Sequence, residues 1–312
     1  DMQGRNLPFT LEAERSQGER IKKRSFYIKY NVNGGVQERE SSQADVFCVA
    51  FGKGRKSIMR TAGIIPARYG ASRLPGKPIQ DIQGRPMIWW VYQKAIKAKR
   101  LDQVLVAADD ERIMEECSKW KIPAVLTGTY HRNAASRLQE VSERIGADFY
   151  VQINGDEPLI RPEYIDAVIP ETISTEEEFG TNIIAPVTSP AEVLDPSNIK
   201  VVFDSSLRAL YMSRTPIPNP FLSIDVTYYK HVGILGYNKK MLDFYKNSVP
   251  GTFEKIEGID TLRFLDYGKH LQFIVLEEVE SLSVDTSKDL EYVRKLLQRE
   301  KDIVETGNKK SR

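Results

Sequence analysis

From residue 60 onward the chain alternates short apolar runs with stretches of helical periodicity, and this alternation restricts its fold more than any other feature. TAGIIPA at 61–67, DQVLVAAD at 102–109 and FYVQING at 149–155 read as strands, with Pro66 expected to stop the first. PMIWWVYQKAIKAKR at 86–100 and RIMEECSKWK at 112–121 read as amphipathic helices between them. Such repetition predicts an α/β fold, a mostly parallel open sheet flanked by helices, with ligands beside the carboxyl edge of the strands. Residues 197–240 break the rhythm. IKVVFDSS, RALYMSRT and TYYKHVGILGY there read as mixed or antiparallel strands of a smaller β lobe, placed approximately at 190–245. The closing VDTSKDLEYVRKLLQREKDIV reads as a helix whose first turn carries Asp285 and Asp289, where acids favour a helix N-terminus.

The first strand runs into IIPARYGASRLPGKP at 64–78, a loop with two glycines and three cations, Arg68, Arg73 and Lys77. Gly70 and Gly76 permit close backbone approach, and turn N–H groups add partial positive charge, so the composition suits a triphosphate. The same composition also fits a solvated basic connection. Neither G-x-x-x-x-G-K-[ST] nor G-x-G-x-x-G occurs, which argues against ordinary P-loop enzymes and dinucleotide-dependent dehydrogenases. By local context alone, Asp156 reads as a turn opener before Pro158 and Asp285 as a helix cap.

The loop resembles the signature segment of the CMP-KDO synthetases, the 3-deoxy-manno-octulosonate cytidylyltransferases. The similarity continues through VAADDERI at 106–113, INGDEPLI at 153–160, SNIKVVFD at 197–204, YMSRTPIP at 211–218, HVGILGY at 231–237 and SVDTSKDLEYV at 283–293, spanning residue 60 to about 297. The resemblance implies a nucleotidyltransferase fold and transfer of CMP from CTP to the anomeric hydroxyl of an acidic 3-deoxy-2-ketosugar, with pyrophosphate released. It implies a role in lipopolysaccharide or surface-polysaccharide synthesis, a homodimer, and Mg²⁺ held by Asp156 and Asp285. Arg68, Ser72, Arg73 and Lys77 are implied phosphate contacts, with Asn154, Gly155 and Asp109 near the nucleotide. Arg68, Lys77, Asp156 and Asp285 form the implied catalytic set. Arg137, Arg214, His231 and Asp260 are the candidates for the sugar, Arg214 because a guanidinium grips a carboxylate with two bonds.

Departures from the family pattern concentrate around the expected sugar pocket. HRNAASR at 131–137 stands where the family usually reads His-Gln-Ser-Gly-Thr-Asp-Arg, Asn154 replaces a glutamine, Leu235 a tyrosine, and DTLR at 260–263 replaces Glu-Gln-Leu-Arg. A buried polar group left unpaired by such changes costs about 1–3 kcal/mol, enough to shift sugar specificity while the chemistry persists. Two other readings remain at this level: a non-catalytic nucleotide-sugar binder, and a glycosyltransferase, which an Asp-x-Asp turn would favour over the Asp156-Glu157-Pro158 present.

With 41% hydrophobic and 28% charged residues among 312, the chain can bury a sizeable core, and a net charge of +2 with no long basic run gives no sign of a nucleic-acid partner. No apolar stretch approaches a membrane span. Cys48 and Cys117 lack metal-ligand spacing and read as free thiols, which with no secretory pattern predicts a reducing, cytoplasmic setting. Residues 1–58 lie outside the resemblance and read as an extension of unassigned role, in which NGG at 33–35 fits a hairpin turn; 59–312 is the expected catalytic domain.

Overall fold

The computed structural model describes residues 26–32, 35–41, 59–70, 73–173, 176–280 and 282–310. The chain divides into two compact units, residues 1–46 and 47–312. In the first, β1 (Phe26–Val32) and β2 (Gly35–Ser41) pair antiparallel with Val32 opposite Gly35, flanking the expected hairpin turn; Asn33 and Gly34 lie outside the described residues.

The second unit follows the predicted alternation. β3 (Thr61–Ala67) is followed by a 3-10 turn at Lys77–Ile79, the short pair β4 (Asp81–Ile82) and β5 (Arg85–Pro86), and α1 (Met87–Ala95). Then come β6 (Gln103–Ala108), α2 (Glu111–Lys119), β7 (Ala124–Leu126), α3 (Ala134–Ser142), β8 (Phe149–Ile153) and α4 (Pro162–Ala167). β9 (Phe179–Pro186), α5 (Pro190–Leu194), β10 (Lys200–Phe203), β11 (Ala209–Ser213) and β12 (Tyr229–Asn238) lead to α6 (Lys239–Asn247), α7 (Thr252–Glu257) and α8 (Leu262–Asp266). β13 (His270–Val275) and α9 (Ser287–Lys310) close the chain.

One nine-stranded sheet holds the unit together. Its first half, in the order β7-β6-β3-β8, is wholly parallel. The chain runs from β3 to β6 and β7 on one side and returns through α3 to β8 on the other, so the crevice between the ends of β3 and β8 is the topological switch point where such sheets bind ligands. The strands expected to be mixed are antiparallel: β12 pairs with β8, β9 and β10, and β10 with β11, so they extend the same sheet. β13 rejoins β9 in parallel.

Both faces of the parallel half are buried, which is why its strands read as continuous apolar runs. Ile64 packs on one face with Leu138, Val141, Tyr150 and Leu242, while its neighbour Ile65 packs on the other with Ile88, Val91, Ile113 and Val151. Both isoleucines are fully buried. Burial of this kind contributes about 1.5–3 kcal/mol per side chain.

Pro66 does not stop β3, as the sequence suggested, but lies inside it opposite Ala107. Pairing between β3 and β8 ends at Ile64, and Asp109 N donates to the Ala67 carbonyl at 3.2 Å, so Pro66 faces the side on which β8 has already diverged. The missing N–H therefore breaks no ladder bond.

Candidate active site

Three segments converge at the switch point. The end of β3 contributes Pro66, Ala67 and Arg68, the turn after β8 contributes Asn154, Gly155 and Asp156, and the entry to α3 contributes His131, Arg132, Asn133 and Ala134. With Lys77, Pro78, Arg137 and Asp285 they line a cleft of about 300 Å³. Close approach of the first two segments requires Gly155: a Cβ there would stand 2.8 Å from the Pro66 carbonyl oxygen. No ordinary side chain fits without moving backbone.

The phosphate-type loop is closed on itself. Gly76 adopts φ +62°, its N–H donates to the Tyr69 carbonyl at 3.0 Å, and the Tyr69 N–H donates to Asp109 Oδ1 at 2.8 Å. Arg112 stacks on the Tyr69 ring at 3.4 Å while its guanidinium donates to both Asp110 oxygens, at 2.8 and 2.7 Å. This closure places Lys77 in the cleft.

Lys77 Nζ donates to Asp156 Oδ2 at 2.8 Å and to Asp285 Oδ1 at 2.9 Å, and Arg73 approaches the same Asp285 oxygen at 3.2 Å. Burial disfavours the ammonium, yet the charge of Asp156 and hydrogen bonds to both carboxylates outweigh it, and the Lys77 pKa rises. Two carboxylates 129 positions apart in sequence thus share one cation.

Neither aspartate is occupied by the local role that its sequence context also allowed. Thr286 and Asp289 cap α9: the Asp289 carboxylate accepts from the N–H groups of Asp285 and Thr286 at 3.1 and 2.7 Å. Asp285 precedes the helix rather than lying in its first turn, and its carboxylate is left for the cleft. The Asp156 carboxylate meets Lys77, while the Asp156 carbonyl accepts from Val284 N at 2.8 Å and so ties the two acidic segments together.

The other predicted residues separate into those the fold brings here and those it does not. Arg68 lines the cleft and is exposed, and Asn154 lines it while donating to Glu157 Oε1 at 3.1 Å. Ser72 lies outside the described residues. Asp109 is held off the cleft lining by Tyr69 N–H and by Arg137, whose Nη2 donates to it at 3.2 Å. Arg137 lines the cleft, but its guanidinium also donates to Thr127 Oγ1 and, at 3.4 Å, to the Gly128 carbonyl, so it ties one wall together.

Arg214, expected to grip a sugar carboxylate, is outside the lining. Its guanidinium donates to the carbonyls of Glu257, Pro196 and Gly258 at 2.8, 2.9 and 3.3 Å, which fixes the backbone beyond β11. His231 is also outside the lining, with Nδ1 2.7 Å from Asn182 Oδ1. Asn182 Nδ2 donates to the carbonyls of Val232 and Ile234, so its oxygen is the acceptor and His231 carries its proton on Nδ1. Burial lowers the His231 pKa to about 4, and the ring is neutral at neutral pH. Asp260 is absent from the lining and lies near Tyr237 and Tyr245; burial, then the charge of Glu254, raises its pKa. Leu235 is a core residue of β12, and Arg263 of the DTLR segment is held by both Glu254 oxygens at 2.7 Å.

The family-model comparison separates the cytidylyltransferase readings from the glycosyltransferase one. A model described as Cytidylyltransferase matches residues 62–273, the strands of the central sheet from β6 to β12 and most of β3 and β13. The chain belongs to the cytidylyltransferase family.

Among cytidylyltransferases, it is 40% identical over 238 residues to the 3-deoxy-manno-octulosonate cytidylyltransferase of Fusobacterium nucleatum, covering 75% of this chain and 96% of that one. The enzyme of the same name from Escherichia coli is 36% identical over 237 residues, covering 76% and 96%. A solved CMP:2-keto-3-deoxy-manno-octonic acid synthetase complexed with CTP superposes with a TM-score of 0.71 at 34% identity, over 77% of this chain and 99% of that one. The inositol-1-phosphate CTP transferase of T. maritima shares the fold, with a TM-score of 0.56 at 14% identity.

Sequence reasoning placed HRNAASR at the sugar pocket but named only Arg137 of it as a site residue; His131, Arg132, Asn133 and Ala134 line the cleft as well. Glu140 draws their loop inward, accepting from Gly128 N at 2.9 Å and lying 2.5 Å from His131 Nε2. The signal was present as an unusual HRNAASR segment, but nothing in it announced which side chains face the cleft.

Proposed function

We propose that this cytidylyltransferase moves CMP from CTP to the anomeric hydroxyl of an acidic 3-deoxy-2-ketosugar, 3-deoxy-manno-octulosonate or a close analogue, for lipopolysaccharide or surface-polysaccharide assembly. The observation that carries the reading is the convergence of Lys77, Asp156 and Asp285 at the switch point, beside a glycine-bearing turn and an exposed Arg68. The new bond joins the anomeric oxygen to the α-phosphorus, and the bond from that phosphorus to the β-phosphate oxygen breaks to release pyrophosphate, with loss of the hydroxyl proton. No covalent enzyme intermediate is required, and catalysis rests on position and charge.

Each residue then has a physical task. Lys77, Arg68 and Arg73 place fixed positive charge where negative charge develops on the phosphoryl oxygens and the leaving group. Gly155 lets the β8 turn lie against β3, so that substrate packs on backbone. Asp109, itself outside the lining, orients Tyr69 and Arg137.

Two carboxylates at one point, with room beside them for phosphate oxygens and water, fit Mg²⁺, which is commonly held by one or two carboxylates plus substrate phosphates. Among the described residues no group of three or more His, Cys, Asp or Glu offers a fuller protein cage. Asp156 and Asp285 would hold the ion, which supplies charge neutralisation to the triphosphate when bound.

The working form is a homodimer in the cytoplasm. An exposed apolar run between β11 and β12, with Phe221, Leu222 and Ile224 at 86%, 94% and 95% accessibility, supports the pairing. Among the described residues no helix is long and apolar enough to cross a membrane. The reading is tested by incubating the protein with CTP, Mg²⁺ and a panel of 2-keto-3-deoxy sugars and measuring pyrophosphate. Release with at least one acidic ketose is expected; none with any of them, from folded protein, refutes it.

A further inference from the structure

Four basic side chains line the cleft, and they are not equivalent. Lys77 is matched by Asp156 and Asp285, and Arg137 by Asp109. Arg68 and Arg132 are exposed, and neither has a hydrogen-bond acceptor or ion-pair partner among the described residues. Arg68 belongs to the loop already assigned to phosphate. Arg132 comes from a different wall and is absorbed by nothing described so far.

Its surroundings hold it there. On one side His131 is only 4% exposed at its side chain, is bound by Glu140 at 2.5 Å, and stacks on Tyr130 at 4.3 Å between centroids. On the other, Asn133 accepts from Ser136 N at 3.0 Å and donates to Tyr245 Oη at 2.5 Å. The backbone of 131–133 is thus pinned from both sides. The middle side chain, the one carrying a permanent charge, has no protein contact of this kind.

A guanidinium presented this way on a cleft wall suits a planar or tetrahedral oxyanion, which it binds with two parallel N–H···O bonds. We infer that Arg132 is a substrate-binding residue that takes an oxyanion of the bound ligands. The inference rests on the cytidylyl-transfer reading above. Two groups of that reaction offer the required chemistry, the triphosphate of CTP and the carboxylate of the sugar acid.

The test compares wild type with Arg132→Gln and Arg132→Lys, both exposed substitutions expected to leave the fold intact. Calorimetry gives the Kd for CTP without sugar, and pyrophosphate release at saturating CTP gives the KM for 3-deoxy-manno-octulosonate. Arg132→Gln is expected to raise one of these constants about tenfold, the scale of losing one charge-assisted contact at a solvent-accessible site. Arg132→Lys should recover part of the loss. A weaker Kd for CTP assigns the contact to the triphosphate, and a raised KM for the sugar with unchanged CTP binding assigns it to the carboxylate. Both constants within twofold of wild type overturn the inference alone. A wild-type protein that fails to bind CTP overturns the reading and this inference together.

Discussion

Replacement of Lys77 by methionine separates an ion pair that supports the fold from a cation that supports the reaction. The ammonium lies 2.8 and 2.9 Å from its two carboxylate partners and is itself 14% exposed, whereas Asp156 and Asp285 are 27% and 37% exposed. Water screens pairs of this accessibility, so each contributes on the order of 0–1 kcal/mol to stability. Loss of both should lower the melting temperature by no more than about 8 °C for a unit of this size. Removing a fixed positive charge from a developing oxyanion is far more costly, about 2.7–4 kcal/mol, or on the order of 10²–10³ in kcat. The assay is pyrophosphate release alongside thermal unfolding, with Mn²⁺ binding followed by electron paramagnetic resonance without CTP. Activity should collapse while the fold persists. Mn²⁺ binding should tighten, because the ammonium no longer occupies the space between the two carboxylates. Activity within threefold of wild type, or unfolding at the assay temperature, refutes the argument.

Three other outcomes follow from the geometry. Gly155→Ala places a Cβ 2.8 Å from the Pro66 carbonyl, so stability should fall by about 1–3 kcal/mol in denaturant melts, with activity falling alongside; an active variant of wild-type stability contradicts the close approach. His231 has a pKa lowered from 6.5 to about 4 by burial, so the unfolded chain binds more protons between those values and stability is lost as pH falls through that window. His231→Asn should flatten the decline between pH 7 and pH 4.5, and equal declines in both proteins remove His231 as its source. Phe221→Ser, Leu222→Ser and Ile224→Ser together should convert a dimer to a monomer in analytical ultracentrifugation; a dimer that survives all three places the interface elsewhere.

The sheet was legible because its strands are buried on both faces. Ile64 and Ile65, adjacent in sequence and packed on opposite sides, leave an unbroken apolar run that points to a parallel strand. The loop at 64–78 stood out because glycines and cations follow such a strand, a composition that also fits a solvated basic connection, and the fold brings its Arg68 and Lys77 to the cleft. Pro66 misled because the point at which β8 diverges, which frees its missing N–H from any ladder, is a property of the assembled sheet. Asp285 was legible as an acid near a helix start, but only the capping by Asp289 shows that its carboxylate is free for the cleft.

Arginine roles were the least legible. Arg214, Arg137 and Arg132 carry the same side chain, yet one ties three backbone carbonyls, one braces Asp109, and one has no acceptor among the described residues. Their partners lie at distances along the chain that no local pattern encodes. Cys117 is buried, with its thiol pushed up to about 12 by burial, consistent with an inert core position; Cys48 lies outside the described residues.

The most direct test of cytidylyl transfer is ³¹P NMR of the protein with CTP, Mg²⁺ and 3-deoxy-manno-octulosonate, run beside Asp156→Ala and Asp285→Ala. The account predicts a new phosphodiester resonance growing in step with pyrophosphate for wild type, and neither signal for the folded variants. Unchanged product formation by either aspartate variant would contradict it.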